Sequence, residues 1–92
     1  MFTKRKSSMG ISYFGAHTPG KEFKNSIENG DTITLHIEKE SVYVKNILRL
    51  SDNNFSGKVL GFEPSFSLEF NGVKIGDKVN FNEEHIITCS SN

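Results

Sequence analysis

Several features that would direct a search for function are scarce or missing in this chain. It has one cysteine, Cys89, among 92 residues, so no disulfide can form within it. A lone thiol fits a reducing compartment, and we expect a cytoplasmic protein. Tryptophan is missing, alanine occurs only at Ala16 and proline only twice. With so few strong helix formers, a helix-rich fold is disfavoured. No stretch approaches the ~18 apolar residues of a membrane span. The basic start, Met1 to Lys6, is followed by no apolar run of signal-peptide length. Formal net charge is zero, so overall charge draws the chain toward neither nucleic acid nor membrane.

What is present is unevenly spread. Residues 1–24 carry five basic residues and one acidic, net +4, and residues 25–92 carry six basic and ten acidic, net −4. A basic arm over residues 1–11, expected to be flexible, therefore precedes an acidic body, and docking of arm on body is as natural as contact with an external anion. Residues 12–92 have the length of one small domain, which buries roughly 60–65% of the surface of its unfolded chain. That leaves room for one modest core and little for a deep cleft.

From Gly30 onward the hydrophobic period is two. Ile33, Leu35 and Ile37 alternate with Thr34, His36 and Glu38, which predicts a strand with its apolar residues inward. A second strand follows over residues 42–50. It places Val42, Val44, Leu48 and Leu50 on one face and Tyr43, Lys45, Ile47 and Arg49 on the other. Asn46 interrupts the apolar face and predicts a bulge or bend. Residues 51–54 form a turn, and Phe55 to Phe62 a third strand bent at Gly57 and Gly61. Phe66 to Phe70 alternates again. Asn71-Gly72 is a hairpin turn, because both central residues of a type I′ turn need positive φ. Val73 and Ile75 continue beyond it, Lys78 to Phe81 follows, residues 82–84 make a single 3₁₀ turn, and His85 to Cys89 is the last strand. Residues 19–30 read two ways. Thr18, Pro19 and the Phe23–Ile27 spacing favour a short helix, whereas Gly20, Asn25 and Ser26 oppose it.

The segment Gly72-Val-Lys-Ile-Gly-Asp-Lys-Val-Asn-Phe-Asn-Glu-Glu-His-Ile86 resembles the closing segment of small bacterial SH3-like barrels. These often read Gly-x-x-x-Gly-Asp-x-Val-x-Phe, then a short acidic turn, then a final strand. The resemblance extends over residues 31–89 and implies a fold and no activity, since such barrels host unrelated functions. We therefore expect an all-β protein: a small SH3-like barrel, closed or nearly so, of about five antiparallel strands with an N-terminal extension. An oligonucleotide-fold barrel or an antiparallel meander with one short helix is the alternative.

Catalytic and metal chemistry find little footing. The metal-ligating types are His17, His36, His85, Cys89, Glu83 and Glu84. On one strand, His85 and Cys89 would stand ~13 Å apart, whereas two ligands of one zinc each lie within ~2.3 Å of it. The same spacing denies a Cys–His dyad. Gly57 to Gly61 and Gly72 to Gly76 lack the Lys-Ser/Thr of a phosphate loop. We expect no enzyme, no metal and no cofactor.

Two binding readings remain. In the first, a non-enzymatic module engages another protein through Tyr43, Arg49, Phe62 and Phe66. These are aromatic and arginine types enriched at binding hot spots, placed by parity off the core face or in a loop. In the second, a nucleic-acid accessory protein uses Lys4, Arg5 and Lys6 with Tyr13 and Phe14 as stacking rings. A membrane partner is not expected, and oligomeric state is not legible.

Overall fold

Where apolar and polar residues alternate between Thr32 and Ser90, the chain forms strand. The computed structural model describes residues 2–6, 8–15, 26–63 and 68–91. Its strands are β1 (Ser12–Phe14), β2 (Thr32–Ile37), β3 (Glu40–Arg49), β4 (Asn54–Glu63), β5 (Glu69–Phe70), β6 (Val73–Lys74), β7 (Lys78–Asn82) and β8 (Thr88–Ser90), with a 3₁₀ turn at Glu83–His85. The protein is all-β. Six strands form one sheet in the order β1-β8-β2-β3-β4-β7, and β5 and β6 form a separate hairpin. Five of the six pair antiparallel, and β1 joins β8 in parallel. Among the described residues no helix is long and apolar enough to cross a membrane.

One core serves the whole sheet. It contains Ile33, Leu35 and Ile37 of β2, Val42, Val44 and Ile47 of β3, Phe55, Val59 and Phe62 of β4, Val73, Phe81, Ile86 and Cys89. With no helix among the described residues to cover it, a sheet that buries one face must curl onto itself. On the core face, the β4–β7 register sets Phe55 directly opposite Phe81, and their rings stack with centroids 5.9 Å apart. Among the described residues no ladder joins the two edge strands, β1 and β7, so the ring of hydrogen bonds does not close.

The bulge expected at Asn46 exists, and it changes which residues are inside. Lys45 pairs with Lys58 and Leu48 with Ser56, so Asn46 and Ile47 together oppose Gly57. Asn46 takes φ 56°. The extra residue reverses parity, and Ile47 is fully buried while Leu48 and Leu50 are 51% and 56% exposed. This corrects the strict alternation, which put the leucines inside and Ile47 outside. Gly57 fits beneath the bulge because it has no side chain. A Cβ there would press on Val44 Cγ1 and come within 2.9 Å of Ile47 Cδ1.

Other expectations hold or shift. Asn71 and Gly72 take φ 55° and 85°, and Phe70 pairs with Val73 across the turn. The segment 72–86 thus runs hairpin strand, β7, acidic 3₁₀ turn. The final strand starts at Thr88 and not at His85, because His85 closes the turn as its third residue. The proposed helix at 19–30 lies mostly outside the described residues. Within it, residues 26–30 form a turn in which the Asp31 N–H donates to the Glu28 carbonyl at 3.2 Å.

Candidate functional site

The N-terminal arm takes a defined path over the body. The Thr3 N–H donates to the His36 carbonyl at 2.7 Å, and the Arg5 N–H to the Glu84 carbonyl at 2.7 Å. The Arg5 guanidinium donates through Nη1 to the carbonyls of Glu83 and Ile86, both at 2.6 Å, and through Nε to that of Met9 at 3.1 Å. Lys4 lies 3.3 Å from the Glu84 carboxylate. Arm and body attract as their opposite charges suggest. The cations expected to hold nucleic acid are thus partly engaged within the molecule, and among the described residues Lys6 shows no such side-chain contact.

Beneath the arm, the 3₁₀ turn is held by a capping box. The Asn82 side chain accepts the Glu84 N–H at 3.2 Å, and the Asn82 N–H donates to His85 Nδ1 at 3.1 Å. Accepting that bond requires a neutral imidazole. His85 lies against Phe2, ring centroids 6.1 Å apart. Its pKa is lowered, first by burial and then by positive charge including that of Lys4, with Glu84 opposing.

Of the four residues expected to form a protein-binding patch, the three that are described do not share one surface. Phe62 is in the core and packs on Phe70, ring centroids 6.1 Å apart. Arg49 pairs with buried Phe55 and so points to the inner face, where its guanidinium covers the Phe55 ring at 4.7 Å and donates to the Asp52 carbonyl at 2.9 Å. Tyr43 is on the outer face, hydrogen-bonded to Glu63, and its pKa is raised by burial and by that carboxylate. Phe66 lies outside the described residues. Of the other aromatics, Tyr13 packs against the core and Phe14 is 58% exposed.

No protein-family model, curated protein or solved structure matches this chain.

The metal-ligating types stay apart. Among the described residues no three His, Cys, Asp or Glu side chains converge on one point. Cys89 is buried, and its thiol donates to the Asp31 carboxylate at 3.3 Å, which also accepts the Glu28 N–H at 2.8 Å. This contact ties the turn before β2 to β8. His17 lies outside the described residues.

The register brings together what no local motif predicted. Lys45 of β3 stands opposite Lys58 of β4, which stands opposite Lys78 of β7. Directly opposed residues project to the same face, so three ammonium groups share a row on the outside of the sheet. Adjacent strands are ~4.8 Å apart, so the row spans ~10 Å. Among the described residues none of the three lysines has an ion-pair partner. The neighbouring positions on this face are Tyr43 and Gly61 on one side and Leu48, Ser56 and Asn80 on the other, with no carboxylate among them. A shallow depression of about 200 Å³ is lined by Lys58, Lys78, Leu48 and Ser56 among others. Parity correctly set Lys45 on the outer face, but Lys58 and Lys78 were missed. They are far apart in sequence, and only the β3–β4–β7 pairing order would have revealed them.

Proposed function

We propose that this chain is a non-enzymatic binding module that takes an anionic partner on the outer face of β3, β4 and β7. The observation that carries this reading is the row Lys45–Lys58–Lys78. Like charges directly opposed across strands are destabilising, each pair by roughly 0.2–1 kcal/mol. Here the repulsion is not relieved by a carboxylate among the described residues. An external anion would relieve it. The arm contributes less, because Arg5 and Lys4 already bind the body.

The SH3-like resemblance belongs to the same proposal. It is supported by the five antiparallel strands β8-β2-β3-β4-β7 and by the acidic turn between β7 and β8. A cytoplasmic location is also proposed, on the strength of the lone buried thiol.

Retention on an immobilised polyanion such as heparin tests the reading. The Lys45→Gln/Lys58→Gln/Lys78→Gln variant is expected to elute at clearly lower salt than the native chain. Lys4→Gln/Lys6→Gln is expected to elute close to it. Equal elution of the native chain and the row variant, or loss of retention only in the arm variant, would reject the outer face as the site.

A further inference from the structure

We infer that the anion is a single-stranded nucleic acid lying across the strands, its phosphates on the lysine row and a base stacked on Phe14. This rests on the anion-binding face proposed above. Beyond β3 the row continues across the sheet. Ile33 pairs with Val44, which sets Thr32 beside Lys45 in the continuing register. Thr32 pairs with Ser90, and Ser90 with Phe14. One cross-strand line therefore reads Phe14, Ser90, Thr32, Lys45, Lys58, Lys78, an aromatic ring at one end and three cations at the other.

Phe14 is an unusual residue to leave on this face. It is 58% exposed on an edge strand three residues long. A flat, exposed ring offers any base a stacking surface, whatever the sequence. Between ring and cations the Thr32 hydroxyl adds a polar contact without charge, while the Ser90 hydroxyl donates to the Thr32 carbonyl at 3.3 Å. Five strand spacings make the line ~24 Å long, enough to take several nucleotides of an extended single strand, as small nucleic-acid-binding barrels do. The row lies on the outside of a curled sheet, and a flexible single strand follows such a surface where a stiff duplex cannot. An acidic protein surface would use the lysines but has no base to place on Phe14. The chemistry at the far end of the line therefore favours nucleic acid.

The test is fluorescence anisotropy of the full chain with a labelled twelve-nucleotide single strand. The same strand as duplex, inorganic polyphosphate and polyglutamate serve as competitors. With three phosphates engaged, the logarithm of affinity should fall against the logarithm of salt with a slope of about −2. Phe14→Leu should weaken the single strand by about tenfold and leave the slope unchanged, and Phe14→Tyr should retain binding. Lys45→Gln/Lys58→Gln/Lys78→Gln should flatten the slope. If Phe14→Leu binds like the native chain, or if duplex or polyglutamate competes better than the single strand, the nucleic-acid inference is overturned while the anionic face stands. If the lysine variant binds every polyanion as the native chain does, both fall. Thermal melting of each variant confirms that the fold is kept.

Discussion

Asn46 and Gly57 face each other across the bulge, and each is suited to its backbone. Asn tolerates positive φ, whereas a β-branched residue there is strained by roughly 1–2 kcal/mol. Asn46→Val should lower stability by about that amount and Asn46→Gly much less, as read by urea unfolding. Gly57→Ala forces a methyl group against Val44 and Ile47, and overpacking of this kind costs about 1–3 kcal/mol. The two sites oppose each other across one bulge, so the double variant should not be additive. His85 makes a prediction about pH. Its pKa in the folded protein lies below its ordinary value of 6.5, so below that pH the unfolded chain binds more protons. Stability from this group is complete above pH 6.5 and declines as pH falls from there toward the folded value. Between pH 7 and pH 5.5 the native chain should lose more melting temperature than His85→Gln. An equal loss in both would show that the imidazole is not responsible.

Among the elements, β2 and the hairpin at Asn71-Gly72 were legible because their signals are local. Alternation sets a strand's faces, and a type I′ turn needs residues that accept positive φ. β3 was legible up to Asn46. Beyond it, faces depend on how many residues the bulge inserts, and composition does not state that. Where the arm and β1 would pair was least legible. Their partners, Glu83 to Ile86 and Thr88 to Ser90, lie at the other end of the chain, and no periodicity encodes a contact at that separation. Arg5 binds its element through two carbonyls of the turn region. A hydrogen bond to a charged donor contributes about 1.5–3 kcal/mol. Arg5→Ala should therefore destabilise by roughly 1–3 kcal/mol, and Arg5→Lys should recover only part, since one ammonium cannot copy the planar fork. Chemical denaturation of both variants checks this.

For the molecule as a whole, one sheet curled on one core makes an inside that is apolar and an outside whose chemistry is set by register. The expected protein-binding patch dispersed for that reason. Phe62 is on the core face, and the bulge turns Arg49 inward toward Phe55. The lysine row was invisible for the same reason. Lys45, Lys58 and Lys78 are thirteen and twenty residues apart in sequence, and they meet only because β7 skips the β5–β6 hairpin to pair with β4. Charge counted along the chain pointed to the arm. Charge counted across the sheet points to the outer face. Backbone amide chemical shifts followed during titration with a single-stranded oligonucleotide separate the two most directly. Perturbations are expected at Lys45, Lys58, Lys78 and Phe14, with Lys4 to Lys6 unmoved. Shifts confined to Lys4–Lys6 and the turn at Glu83–His85, with the lysine row silent, would contradict an outer-face site.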